Sequence, residues 1–274
     1  MQIQLIAMDL DGTALQNDHH SFSPRLLAAL EEAHRRGVAI VPVTGRQFSL
    51  LPPPLKCHPV WENLVVVCNG GQIRRLGTGQ RLYGLDIPRP ALDQLLDLAR
   101  TYRIPIEFSV DGKLHLTPAS YDMQRGLDEL CFHRDTILAQ HGVVVDSLIP
   151  LRDGAKVEKV NLPYIRPEAR KDVEAALKSV PVSAVWASSY SFEITHPDAT
   201  KGNGLVQVCR LLGVSPERAM ALGDSGNDES MLRLAGLGVA MGNAPEAVQA
   251  AADAVTDPND QDGAAKAIEQ YVLK

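Results

Sequence analysis

Short apolar runs that close on polar or acidic residues recur at both ends of the chain, and no other feature restricts its fold as strongly. Ile3 to Met8 closes on Asp9-Leu10-Asp11-Gly12-Thr13, Val38 to Val43 on Thr44-Gly45-Arg46, and Leu64 to Cys68 on Asn69-Gly70-Gly71. Between the first two runs, Ser23-Pro24 marks a helix start, Leu26, Leu27, Leu30 and Ala33 share one face, and Gly37 is a stop. Apolar strands joined by helical crossovers predict a parallel sheet with both faces covered. Such sheets hold ligands at their carboxyl edge, where Asp9 and Asp11 fall. Residues two apart in extended backbone face the same side. The pair therefore suits a hard cation, a division into nucleophile and acid/base, or no more than a polar turn.

The texture changes between 86 and 195. Ala91 to Tyr102 has helical spacing, with Leu92, Leu95, Leu96 and Ala99 on one face. Ile104 to Val110 and Leu114 to Leu116 flank Asp111-Gly112, a hairpin turn signal. A helix is predicted within Met123 to His141, a half-exposed strand over Lys156 to Leu162, a helix over Pro167 to Lys178, and a hairpin from Val182 to Ala187 and Ser191 to Thr195. The doubly wound pattern then returns with a helix over Lys201 to Leu212, a short strand at Met220 to Leu222 that closes on Gly223-Asp224-Ser225-Gly226-Asn227-Asp228, and a strand at Gly238 to Met241. The expected architecture is α/β, with a parallel-sheet core at 1–85 and 196–274 and an inserted α+β module at 86–195.

Composition removes several function classes. A net charge of −6 argues against a nucleic-acid binder that relies on a basic surface. No apolar run is long enough to span a bilayer, and Asp9 and Asp11 interrupt the N-terminal run that a secretory signal would need. Cys57, Cys68, Cys131 and Cys209 have no paired spacing, which points to free thiols in a reducing cytoplasm. A monomer is the default expectation.

Four polar clusters lie at strand ends or a helix start: Asp9 with Asp11, Thr44-Gly45-Arg46, Lys201-Gly202, and Asp224 with Asn227 and Asp228. Singly, each has an ordinary structural reading, as a cap, a turn or a solvated lysine. Together they complement one another as parts of a phosphoryl-transfer site. A phosphomonoester dianion needs a cation, a positive side chain, and hydroxyl or backbone N–H donors. Asp9 and Asp224 suit Mg²⁺, Lys201 balances charge, and Thr44 and the Gly45 N–H suit phosphate oxygens.

In these motifs, and in Gly238-Val239-Ala240-Met241-Gly242-Asn243-Ala244, the sequence resembles the haloacid dehalogenase-like phosphatase superfamily, in its Cof-like branch. The order and spacing of the motifs fit over nearly the whole chain. The match is strong in the core and rests on position and texture through the middle module. The resemblance implies a Rossmann-like core with a C2-type cap, and hydrolysis of a small phosphomonoester through an aspartyl-phosphate. It makes Asp9 the nucleophile and Asp11 the acid and then the base. It assigns Mg²⁺ to Asp9, the Asp11 carbonyl and Asp224, with Asp228 supporting the metal waters or Lys201. Asn227 is assigned to phosphate or to orienting Lys201.

Substrate contacts are expected from Asn69, Gly70 and Gly71 and from the cap residues Arg125, Lys159 and Asn161. Arg125 also reads as a solvated helix residue and Lys159 as an exposed strand position. Trp186 and His196 fit packing as well as recognition. Sugar phosphates, nucleotides and pyridoxal phosphate are the candidate substrate classes. Two other functions remain open: a phosphomutase that uses the same intermediate, and a non-catalytic phospho-ligand-binding regulator.

Overall fold

The structure is a computed structural model that describes residues 2–131 and 133–274. The chain divides into two units. The first comprises Met1–Arg46, Leu51–Tyr83 and Thr200–Lys274, and the second Gln47–Leu50 and Gly84–Ala199.

Five parallel strands form the main sheet of the first unit, in the order Ala254–Val255, Leu237–Ala240, Ala219–Gly223, Leu5–Met8, Ala39–Pro42. Leu5, Ile6, Ala7 and Met8 are all fully buried, as an apolar strand covered on both faces requires. Leu5, Ala7, Ala219 and Ala221 share a core with Leu205 and Val208 of the Lys201–Leu212 helix and with Met231 and Leu232 of the Glu229–Leu234 helix. Helices Pro24–Arg35 and Gly263–Tyr271 pack on each other. Ser23 Oγ accepts from Leu26 N at 3.1 Å and starts the first of these. From the opening strand the chain moves first to Ala39–Pro42 on one side, and later to Ala219–Gly223 on the other. The reversal of strand order thus falls between Leu5–Met8 and Ala219–Gly223, which is where α/β sheets open a crevice at their carboxyl ends.

The third apolar run does not extend this sheet as a full strand. Val65–Val67 touches it through one parallel bridge, Val66 to Val43, and pairs antiparallel with Gln72–Arg74 in a three-stranded sheet completed by Arg81–Gly84. The run is short, and the turn through Asn69 and Gly70, both at positive φ, folds it straight back.

The second unit is built on six strands in the order Ser183–Ser188, Ser191–Thr195, Val157–Leu162, Glu107–Val110, Lys113–Leu116, Gly142–Val144. Neighbours are antiparallel except the last pair. Leu92 and Leu95 of helix Arg89–Tyr102 and Val173 and Leu177 of helix Arg170–Leu177 share a core with Phe108, Val160, Leu162, Phe192 and Ile194. Asp111 and Gly112, at φ 49° and 74°, form the expected two-residue turn, with Val110 opposite Lys113. The helix predicted within Met123 to His141 is broken. A helix over Pro118–Gln124 ends where Arg125 turns extended and Gly126 takes φ 80°; Phe132 lies outside the described residues.

Among the described residues, no helix is long and apolar enough to cross a membrane. Cys131 and Cys209 are free thiols; the Cys57 side chain lies outside the described residues.

Candidate active site

The two central strands each end in a carboxylate. Asp9 follows Leu5–Met8, its backbone N–H still donating to Leu222 O at 3.0 Å, and Asp224 follows Ala219–Gly223. The chain turns sharply after Asp9 through Gly12, at φ 73°. A Cβ on Gly12 would lie 2.4 Å from Asp224 Oδ2, so glycine is required for conformation and for space. Thr13 Oγ1 donates to Asp224 Oδ1 at 2.9 Å and ties the two strand ends together.

Lys201 enters from the first turn of its helix. Thr200 caps that helix, its Oγ1 accepting from Asn203 N at 3.0 Å. Gly70 fixes where the helix begins. It sits at φ 92°, and a Cβ there would lie 1.8 Å from Thr200 O. The side chain of Lys201 is buried, with Nζ 2.6 Å from Asp9 Oδ1 and 2.7 Å from Asp228 Oδ1. The other oxygen of Asp228 accepts from Asp224 N and Ser225 N at 3.1 and 3.0 Å. Asp228 is therefore a brace, holding the lysine with one oxygen and the Asp224 loop with the other.

Asp9, Asp224 and Asp228 each bring an oxygen within 4.8 Å of the others. When all three are ionised, the carboxylates exceed the one ammonium by two negative charges, the charge of one divalent cation. Burial pushes the Asp9 carboxyl well up; Lys201 opposes this, and Asp228 and Asp224 add to it. Burial likewise raises Asp224, with Asp228 adding to it and the Thr13 hydrogen bond and Lys201 opposing it. Burial alone would lower Lys201, but Asp228 and Asp9 more than reverse that and keep it protonated. An all-oxygen set with excess negative charge fits a hard divalent cation. Asp9 and Asp224 have capacity to hold one, since Asp228 is already committed to Lys201 and the loop.

Asp11 is placed differently. Its carboxylate accepts from Arg46 Nε at 2.7 Å and Nη2 at 2.5 Å, a two-pronged pairing. His19 Nδ1 lies 2.9 Å from the same carboxylate. Burial acts to raise the Asp11 carboxyl, but Arg46 and His19 together hold it below the usual range. In this arrangement Asp11 is a poor proton donor, and protonating a leaving group requires it to leave the fork. Arg46 N donates to Thr44 Oγ1 at 3.1 Å, so the Thr44-Gly45-Arg46 turn is braced internally.

The remaining expected residues divide into two groups. Asn227 Nδ2 donates to Asn69 Oδ1 at 3.0 Å, and Ser225 Oγ donates to Asn227 Oδ1 at 2.6 Å. Asn69 and Gly70 thus have structural work here, the first on Asn227 and the second against Thr200. Gly71 follows them into the Gln72–Arg74 strand. Arg125 and Lys159 belong to the second unit. Arg125 is exposed and 3.6 Å from Asp122, while Lys159 is buried and pairs with Glu193 at 2.5 Å. Trp186 is partly exposed and stacks on Phe192 with ring centroids 3.8 Å apart; His196 Nδ1 accepts from Asp198 N. Sequence reasoning gave no role to Arg46, His19, Thr13 or Ser225. Arg46 and Thr13 stand inside the quoted motifs, whereas nothing local marks His19, which reaches Asp11 through a loop closed by the Leu15–Phe22 bridge.

The sequence profile of the haloacid dehalogenase-like hydrolases matches residues 6–268. YxeH of Bacillus subtilis is 30% identical over 98% of each chain. The 5-amino-6-(5-phospho-D-ribitylamino)uracil phosphatase YbjI of Escherichia coli is 29% identical over 100% of this chain and 97% of its own. Among solved structures, the HAD subclass IIB sugar phosphatase BT4131 superposes with a TM-score of 0.81 at 27% identity, covering 98% of both chains.

Proposed function

The chain belongs to the haloacid dehalogenase-like hydrolase family, and from that membership we propose a Mg²⁺-dependent hydrolysis of small phosphomonoesters through an aspartyl-phosphate on Asp9. The chain is a phosphatase of this family; the metal, the intermediate and the residue roles are the reading offered here. The observation that carries it is the buried Asp9–Lys201–Asp228 arrangement beside Asp224.

Asp9 Oδ attacks phosphorus and the bond to the leaving alcohol oxygen breaks. Asp11, protonated and released from Arg46, gives its proton to that oxygen. In the second half Asp11 takes a proton from water, the water oxygen attacks phosphorus, and the bond to Asp9 breaks. Lys201 offsets charge on Asp9 and the phosphoryl group. Thr44 and the Gly45 N–H donate to phosphate oxygens, and Asn227, oriented by Asn69 and Ser225, assists them. Asp9 and Asp224 hold the divalent cation, with the Asp11 carbonyl; bound there, it shields the approach of two negative groups.

Specificity is proposed to lie in the cap at 86–195. The substrate belongs to the sugar phosphates, nucleotides or pyridoxal phosphate. The free thiols of Cys131 and Cys209 support a cytoplasmic setting. A phosphate-release screen tests the reading, over those classes and 5-amino-6-(5-phospho-D-ribitylamino)uracil, with Mg²⁺ and with EDTA. Release that needs Mg²⁺ is expected. No release from any member or from an aryl phosphate overturns the substrate reading, and full activity in EDTA overturns the metal.

A further inference from the structure

Phosphoryl transfer gives no role to the motif Gly238-Val239-Ala240-Met241-Gly242-Asn243-Ala244. Its first half belongs to the strand Leu237–Ala240. Its second half leaves that strand and meets the turn after Asp11. Asn243 Nδ2 donates to Gly12 O at 2.9 Å, and Asn243 Oδ1 accepts from Asn259 N at 3.1 Å. Asn259 in turn sends its Nδ2 to Leu15 O at 3.0 Å and to Asn17 Oδ1 at 3.1 Å. Two asparagines from separate loops thus grip the chain at three points between Gly12 and Asn17. Leu237–Ala240 is not a neighbour of Leu5–Met8 in the sheet, because Ala219–Gly223 lies between them. Asn243 therefore reaches past a whole strand to make its contact.

No proton has to be assigned for this network to form. An amide side chain is neutral, with donors only on nitrogen and acceptors only on oxygen. Turning either amide over would set its oxygen against the Gly12 or Leu15 carbonyl. For Asn243 it would also set nitrogen against the Asn259 N–H, so one orientation satisfies the whole set. The two loops are fitted to each other as well. A Cβ on Gly242 would lie 2.8 Å from Pro258 N and 2.9 Å from Thr256 O, so glycine is needed there to bring Asn259 beside Asn243. Thr256 N donates to Ala240 O at 2.9 Å, and Asn259 is largely buried.

The gripped span is the one that places Asp11. Gly12 follows Asp11 at φ 73°. A glycine has the widest conformational freedom, so a turn built on one needs an outside tie to stay in one conformation. Leu15 pairs with Phe22 and closes the loop between them. On that loop His19 Nδ1 lies 2.9 Å from Asp11 Oδ1, and His19 O accepts from Arg46 Nη2 at 3.0 Å. Asn243 thus holds Asp11 through its own backbone, and Asn259 holds the base of the loop that touches its carboxylate. We propose that Asn243 and Asn259 are positioning residues for Asp11, a strut that fixes where its carboxyl meets the leaving-group oxygen. The role rests on Asp11 acting as the acid, as proposed above; the strut itself does not.

Hydrogen exchange followed by mass spectrometry reads the strut. Leu15 N and Gln16 N donate to Leu10 O and Ser21 O at 2.8 and 2.9 Å, so their amides report on the gripped span. Asn243→Ala and Asn259→Ala should each speed exchange across 10–22 and leave 219–223 at its wild-type rate. Unchanged exchange at 10–22 in either variant, or an equal rise in both segments, overturns the strut. The positioning role is read from kcat/KM for phenyl phosphate and 4-nitrophenyl phosphate. Phenolate is the poorer leaving group and depends more on a proton from Asp11. With Asp11 misplaced, each variant should lose about tenfold or more on phenyl phosphate and about threefold or less on the nitrophenyl ester. A variant that merely loses folded protein loses the same factor on both. That result, or wild-type values for both, overturns the positioning role. The change in ratio should vanish when Asn243→Ala is combined with Asp11→Asn, because the strut acts through that carboxyl; a change that persists there overturns the role too. Wild-type protein that cleaves neither ester counts against the phosphomonoester reading, and hydrogen exchange still decides the strut.

Discussion

Asp9 and Asp11 are two residues apart, and their surroundings give them opposite electrostatic characters. Asp9 is buried among carboxylates and steadied by Lys201, whereas Asp11 is clasped by a guanidinium and an imidazole. Asp9→Asn is expected to lower phosphate release on the order of 10⁴-fold with the fold intact by circular dichroism; near-native release would remove Asp9 as nucleophile. Arg46→Gln takes away the group that holds the Asp11 carboxyl down. The Asp11 value should rise, and the decline in rate that follows its deprotonation should move to higher pH, read from the pH profile of kcat. The same pairing has a sign for stability. The folded Asp11 value lies below the unfolded value of about 3.9, so its contribution is complete above that pH and is lost as pH falls through the folded value. The stability gap between the wild type and Asp11→Asn, followed by urea unfolding, should therefore close in acid. Arg46 stood in view in the sequence without a task, because a motif shows which residues are near in sequence but not which side chain they face.

At the scale of elements, the site depends on how closely the Asn69-Gly70-Gly71 turn meets the start of the Lys201–Leu212 helix. Gly70→Ala places a methyl group against Thr200 O and forces an L-residue to φ 92°. A loss of at least about 2 kcal/mol is expected from the urea midpoint, together with a fall in kcat as Lys201 shifts. Wild-type values for both would show that the approach is not tight. Lys201→Met leaves buried carboxylates without their cation and should cost about 3–5 kcal/mol. The core strands were legible because each combines an apolar run with a polar end, two local signals that agree. The turn at Asp111-Gly112 was legible for the same reason. The break at Arg125 and Gly126 was not, because helical spacing on both sides of a single glycine reads as one helix. Val65–Val67 read as a further parallel strand, since a strand's partner is a long-range choice that its own residues do not record.

For the whole molecule, a metal-free charge cluster couples stability to pH and to divalent ions. The Asp9 and Asp224 carboxyls are raised in the fold, so the folded chain holds protons that the unfolded chain has already lost. Stability then falls as pH climbs from the unfolded carboxylate value through the folded ones. Mg²⁺ should flatten that slope and raise the melting temperature; at 100 times its dissociation constant the gain is about 2.7 kcal/mol. Asp224→Asn should abolish most of the Mg²⁺-induced rise measured by calorimetry, and an undiminished rise would place the ion elsewhere. The parts of the molecule differ in how far sequence could reach. Asp9, Thr44, Lys201 and Asp224 carry strand-end or helix-start signals. Glu107 does not, because a lone glutamate in a strand reads as solvent-facing, and its burial depends on Gln124, His133 and Asn161 arriving from separate elements.

The pairing of Leu5–Met8 with Ala219–Gly223 also sets a schedule for synthesis. The second strand of that pair leaves the ribosome more than two hundred residues after the first, a wait on the order of 10–40 s at cellular elongation rates. Throughout that interval the earliest apolar strand of the chain has one edge without its native neighbour, a surface open to wrong pairing. Asp9 meets Lys201 and Asp224 only when the wait ends, so catalytic competence and relief from that hazard arrive in the same step. A truncation that stops short of Ala219 should therefore be inactive and should engage chaperones or aggregate, whereas the full chain released from the ribosome should not.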